Sequence, residues 1–191
     1  MSDTSTTAVI DATRCWIEQV VLKFNLCPFA HKPFQSKRIR YAVSEAREPE
    51  SLLRDLIEEL ERLRRGTALE LETTLLIHPY VLLDFLDYND FLAVVDAVLD
   101  EGGYTGEFQV ASLHPQYRFN GTAVEDAENY TNRSPYPMLH LLREESVERV
   151  LESYPDADTI PAHNIEKMND LGTKTLRRIL YQCLQSGKED G

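Results

Sequence analysis

Thr73-Thr74-Leu75-Leu76-Ile77-His78-Pro79-Tyr80 is an unbroken apolar run closed by a turn signal. Residues 73–77 suit a strand in the middle of a sheet covered on both faces. Upstream, a helix near 50–65 places Leu52, Leu53, Leu56, Ile57, Leu60 and Leu63 on one stripe. Before it, Ile39, Tyr41 and Val43 alternate with Arg38, Arg40 and Ala42, the pattern of a half-buried strand. Downstream, a helix over about 82–101, interrupted at Asn89, stops at Gly102-Gly103, and Glu107–Leu113 is a third strand. Strand–helix–strand–helix–strand predicts parallel strands joined by right-handed crossovers. Residues 8–24 form an amphipathic helix ended by Asn25-Leu-Cys-Pro-Phe, because Pro28 disfavours helix at the residue before it. Ser134 can cap a helix with Pro135 at its first position, running to about Ser153. Two more helices, near 163–171 and 173–185, part at Gly172.

The fold expected is therefore α/β. It is a single domain over 1–191, with a small, largely parallel sheet of three or four strands flanked by helices. Extra helices lie at both ends, and residues 1–7 form a disordered tail. A length of 191 residues suits one domain with a substantial core. The formal net charge of −12 argues against a nucleic-acid-binding surface, which needs clustered Lys and Arg. No run of about 18 apolar residues and no signal-peptide pattern is present, so neither a membrane span nor secretion is expected. Three cysteines, at 15, 27 and 183, lack metal-ligand spacing and suit a reducing cytoplasm rather than a disulfide framework.

Residues 114–134, His-Pro-Gln-Tyr-Arg-Phe-Asn-Gly-Thr-Ala-Val-Glu-Asp-Ala-Glu-Asn-Tyr-Thr-Asn-Arg-Ser, have no period of their own. A loop this long inside a compact domain is usually functional or disordered, and its aromatic residues argue against disorder. His114 opens it in Leu-His-Pro, an echo of Ile-His-Pro at His78. If both strands run parallel, the two imidazoles emerge at one edge of the sheet, at the carboxyl ends where α/β folds bind ligands. There they can serve as acid and base, or as metal ligands. The plainer alternative is that His-Pro terminates each strand with its ring bonded nearby. His140, on an apolar side of the helix from Pro135, is either a core histidine or a ligand.

Arg133, next to Ser134 and Tyr136 at a helix start, suits an anion such as phosphate or carboxylate. It can equally be a surface arginine paired with Glu125, Asp126 or Glu128. Tyr117, Asn129 and Asn132 are candidates to orient a substrate. Asp126 with His78, His114 and His140 can complete a mixed nitrogen and oxygen site, so a divalent metal is a candidate cofactor. No motif of known metal spacing supports it. Cys27 is the candidate nucleophile, with one of the histidines as base, or else a buried thiol ending a helix. Cys15 and Cys183 fall on apolar helical stripes and read as core.

Five segments form a recognisable set. They are Asn-Leu-Cys-Pro-Phe-Ala (25–30), Ile-His-Pro (77–79), His-Pro-Gln-Tyr-Arg-Phe (114–119), Asn-Tyr-Thr-Asn-Arg-Ser-Pro-Tyr-Pro-Met-Leu-His-Leu-Leu-Arg-Glu (129–144) and Ile-Pro-Ala-His-Asn-Ile (160–165). With them the chain resembles the bacterial family catalogued as domain of unknown function 1415, over most of its length. The resemblance implies a stand-alone bacterial unit and supplies no catalytic residues. The function expected is thus a cytoplasmic enzyme acting on a small anionic metabolite, without nucleic-acid or membrane partners. The alternatives are a thiol-dependent enzyme using Cys27, and a non-catalytic binding or assembly protein that uses the 114–136 loop for recognition.

Overall fold

The computed structural model describes residues 5–153 and 157–187. Its centre is a four-stranded sheet built from β1 (Ile39–Val43), β2 (Thr73–Ile77), β3 (Phe108–Leu113) and β4 (Met138–Arg143), in the order β1-β2-β4-β3. β1 and β2 are parallel, whereas β4 is antiparallel to both β2 and β3. The sheet is therefore mostly antiparallel, which corrects the expectation of a largely parallel one. β1, β2 and β3 do share a direction. What breaks the parallel pattern is β4, which enters between β2 and β3 from the opposite end.

β4 lies in the segment expected to be a helix from Pro135. Helix there begins only at α5 (Glu144–Ser153). Tyr136 stands between two prolines, and a residue before proline is pushed toward extended backbone. Ser134 makes no helix cap; its hydroxyl donates to the Tyr136 carbonyl at 2.7 Å. The apolar run that follows satisfies its backbone on two strands at once, with Leu75 and Ala111 flanking His140 in register.

The remaining elements are α1 (Thr6–Trp16), α2 (His31–Gln35), α3 (Pro49–Arg65), α4 (Phe85–Glu101), α6 (Ile160–Leu171) and α7 (Thr173–Ser186). Of the expected disordered tail, Thr6 and Thr7 open α1, capped by the Ser5 side chain, while residues 1–4 lie outside the described residues. α1 continues as a π-helical stretch, Ile17–Leu22. α4 is capped by Asp84, whose carboxylate accepts from Leu86 and Asp87, and runs through Asn89 without the expected interruption. α6 and α7 part at Gly172, whose φ of +74° favours glycine.

Both faces of the sheet are covered. On one, Ala42, Leu76, Leu139 and Leu141 meet Leu52, Leu56, Leu60 and Leu63 of α3 and Tyr88, Phe91 and Val95 of α4. On the other, Leu75, Ile77 and Met138 meet Val9 and Trp16 of α1, Ile17 and Val20 of the π-helical stretch, Met168 of α6, and Leu176 and Cys183 of α7. This double cover explains why β2 is apolar at consecutive positions. Arg143, at the end of β4, donates to the carbonyls of Leu63 at 2.5 Å, Gly66 at 3.0 Å and Leu71 at 3.1 Å. It thereby satisfies carbonyls left open where α3 ends.

Candidate functional site

His78 and His114 lie at the same edge of the sheet, on either side of the start of β4. They are fully buried, with the Tyr88 ring between them at centroid distances of 5.7 and 5.0 Å. His78 Nδ1 lies 3.0 Å from the Val81 carbonyl, so this nitrogen carries the proton. His114 Nδ1 accepts from the Gln116 N–H at 3.0 Å, which leaves Nε2 to donate to the Leu82 carbonyl at 3.2 Å. Leu82 has a φ of +54°, a conformation unfavourable for a branched side chain. The two rings thus grip consecutive carbonyls of a strained turn. Burial lowers both histidine pKa values, that of His78 to about 4, so both are neutral at pH 7. His78 Nε2 is buried without a partner among the described residues, while both nitrogens of His114 are occupied.

The long loop folds on itself. Asn129 is fully buried; its Oδ1 accepts from the Phe119 N–H at 3.0 Å and the Thr122 hydroxyl at 2.8 Å, and its Nδ2 donates to Ala123 at 2.8 Å. Arg133 lies over the Tyr130 ring and donates to the carbonyls of Tyr117 at 3.0 Å and Val124 at 2.7 Å. It is neither a free anion clamp nor paired with the loop carboxylates. Asp126 accepts the Ala123 N–H at 2.7 Å, and Tyr117 packs its ring against Phe85 and Phe119. Tyr136 is half-buried in the α1/α6/α7 core, where burial raises its hydroxyl pKa. Asn132 likewise donates to the Ser112 carbonyl of β3 at 3.2 Å, so both amides serve the frame.

The proposed metal quartet does not assemble. His78 and His114 lie on the α4 side of the sheet, His140 faces the opposite side, and Asp126 is exposed on the loop. Among the described residues no group of three or more His, Cys, Asp or Glu is placed to hold a metal ion.

A cavity of about 770 Å³ opens over the face opposite α3 and α4. Leu75, Ala111, His140 and Leu142 of the sheet form its floor, with Trp16, Ile17 and Val21 on one wall and Val147 and Val150 of α5 on another. Cys27, Asn132 and His140, three of the sequence candidates, line it together. It lies over the face of the sheet rather than at the carboxyl ends of the strands. Asn164 donates to the Leu26 carbonyl at 2.9 Å and so fixes the segment carrying Cys27 against α6.

Burial holds His140 at a pKa of about 4, with no hydrogen bond among the described residues to oppose it, so the ring is neutral. Burial also raises the Cys27 thiol, which the N–H groups of Phe29 and Ala30 only partly offset. At neutral pH the pair is therefore an uncharged thiol and an uncharged imidazole, able to donate and accept hydrogen bonds. Trp16 Nε1 and Ser146 Oγ are buried at the cavity with no hydrogen-bond partner among the described residues. Four cations line it (Lys32, Arg38, Arg143 and Arg149) against two carboxylates, Glu72 and Glu145, in a chain of net charge −12. Arg38 pairs with Glu72 at 2.8 Å and Arg149 with Glu145, while Lys32 is exposed and Arg143 donates to carbonyls and lies over the Phe108 ring.

A second, more open hollow runs along the edge of β1 and α3. Arg40 pairs with Glu59 at 2.6 Å, and the Ser44 hydroxyl donates to Asp55. It offers no unpartnered group comparable with Trp16 Nε1.

Sequence reasoning passed over Trp16, Ser146, Arg143 and Lys32. Trp16 sat on an apolar helical stripe, and the other three carried no motif. The available signal was the joint occurrence of the segments holding Cys27 and Asn164, which the fold brings into contact.

The chain belongs to the family described as protein of unknown function, DUF1415, whose model matches residues 8–178. No curated protein and no solved structure matches the chain. No helix among the described residues is long and apolar enough to cross a membrane.

Proposed function

We propose that this protein is an enzyme acting on a small organic anion with a sizeable apolar body, held in the cavity over the sheet. The observation that carries the reading is an apolar cavity with surplus positive charge and two unpartnered buried donors, inside an acidic chain. A volume of about 770 Å³ falls in the range of small-molecule sites, where a few polar groups orient a mostly apolar ligand. Lys32 and Arg143 supply the charge not matched by a lining carboxylate. Trp16 Nε1 and Ser146 Oγ donate to ligand oxygens, and His140 and Asn132 add polar contacts within the same wall. The substrate class is a carboxylate or phosphate monoester bearing a hydrocarbon or aromatic group.

Cys27 supplies the reactive group in this reading. Its thiol is protonated at rest, so nucleophilic attack requires proton transfer to a base, for which the neutral His140 ring is the candidate on the same cavity. Thermal-shift screening tests the binding step. Octanoate and octyl phosphate should raise the melting temperature, while acetate, inorganic phosphate and octanol should not. Equal effects of acetate and octanoate, or none from either, would remove the amphipathic-anion reading. Once a turned-over substrate is found, Cys27→Ser should abolish turnover and keep binding. Unchanged turnover would remove the thiol.

A further inference from the structure

Cys15 on α1 and Cys183 on α7 stand 168 residues apart in the chain, yet their sulfurs lie 2.7 Å apart. Non-bonded carbon atoms, smaller than sulfur, settle at about 3.5–4.0 Å, and a disulfide bond is about 2.04 Å long. The two sulfurs are thus well inside ordinary contact and a small movement from bonding distance. Their helices hold them there. α1 packs along α7, and a Cβ at Gly187, just past the end of α7, would collide with the Ala8 carbonyl of α1. Cys15 is half-buried and Cys183 fully buried, so one thiol of the pair can be reached from outside. Cys27 lies apart, on the cavity.

We infer that Cys15 and Cys183 form a reversible redox clasp, closing to a disulfide that fastens the first helix to the last. The oxidant is a low-molecular-weight disulfide of the glutathione class. The Cys15 thiolate attacks one of its sulfurs, the S–S bond breaks, and one thiolate leaves and takes up a proton. Cys183 then loses its proton to solvent, and its sulfur attacks the Cys15 sulfur of the mixed disulfide and expels the second thiolate. The balance is two protein thiols and one disulfide converted to one protein disulfide and two small thiols. Burial and the contact with Cys15 raise the Cys183 thiol pKa, so closure is slow at neutral pH and faster in mild alkali. A pair reduced in a reducing compartment and closed under oxidant is the usual form of a sensing disulfide.

The clasp has a consequence for the cavity. Trp16 follows Cys15 directly, and Ile17 and Val21 continue the same helical path into the cavity wall. Closure fixes the start of that wall to α7.

The test uses the full chain, treated at pH 8 with oxidised or reduced glutathione and then alkylated under denaturing, non-reducing conditions. The oxidised sample should take one alkyl group, at Cys27, and the reduced sample three. Peptide mapping should join the Cys15 and Cys183 peptides, and the melting temperature should rise by about 5 °C or more on oxidation. Cys15→Ser should abolish that rise, and Cys27→Ser should keep it. Three alkylated thiols after oxidation, glutathione adducts alone, or a bridge to Cys27 would each overturn the clasp. The mass and mapping of the unmutated chain decide the matter even if a variant fails to fold.

Discussion

Two clusters built around histidine flank this sheet, and they are finished differently. At the end of β2 and β3, His78 and His114 are sealed around Tyr88 and hold the carbonyls of Val81 and Leu82. On the opposite face His140 looks into a cavity beside Trp16 Nε1 and Ser146 Oγ, which have no partner among the described residues. The contrast teaches that a chemically capable residue is part of the scaffold when backbone groups use up its capacity. It is a candidate for function when that capacity is left over next to empty space. By that measure His114 and Arg133 build the frame, His78 keeps one nitrogen unpartnered but lies outside this cavity, and the less conspicuous His140 and Cys27 line the cavity.

Substitutions in the sealed region should break this comparison most visibly. Asn129→Ala removes the acceptor of the Phe119 N–H and the donor to the Ala123 carbonyl, leaves the Thr122 hydroxyl only the Phe119 carbonyl, and should cost about 2–4 kcal/mol of stability. His114→Ala should cost a similar amount, since it empties the buried space beside Phe85 and Tyr88 and releases the Leu82 carbonyl and the Gln116 N–H. Urea unfolding measures both, and a loss under about 0.5 kcal/mol, the scale of an ordinary surface change, would contradict the scaffold role.

Acid should act through the same burial. The folded pKa of His78, about 4, lies below its ordinary value of 6.5, so between these values the unfolded chain binds more protons. Stability from neutral His78 is therefore complete above pH 6.5 and is lost as pH falls toward 4. The loss from this residue should reach about 2 kcal/mol by pH 5. His140 has the same direction and the same window. Unfolding midpoints that stay flat between pH 7 and pH 5 would show that these rings are not held neutral.

The open cluster should respond in the opposite sense. His140→Ala removes a ring with no hydrogen bond among the described residues, so stability should change little, while affinity for octanoate should fall about tenfold, or 1.4 kcal/mol. A large stability loss with unchanged affinity would make His140 a core residue. The smallest effect belongs to Lys32→Ala, at the exposed mouth, where solvent screening limits the loss to about threefold in affinity. That loss should shrink further in high salt.

Much of the frame was legible because single elements carried complete local signals. α3 shows its Leu52, Leu56, Leu60 and Leu63 stripe, β2 its unbroken apolar run, and Gly172 the break between α6 and α7. β4 was not legible as a strand, because Met138-Leu-His-Leu-Leu contains strong helix formers and a short apolar run fits either period. The overlooked local clue was Pro137, which restricts Tyr136 to extended backbone just where a helix would need its first turn. His140 was singled out as lying on a helix face; on β4 it faces the cavity instead. The cavity itself had no local signature. Its walls come from residues 16 to 164, and only the packing of α1, α5 and α6 over the sheet creates the space.

The most direct test of the cavity as the ligand site is the emission of Trp16, the chain's only tryptophan, during titration with octanoate. A saturable change is expected in the unmutated protein, persisting in folded His114→Ala and disappearing in Ala111→Phe, where the new ring fills the cavity floor. No saturable change, or an equal one in Ala111→Phe, would contradict the cavity as the ligand site.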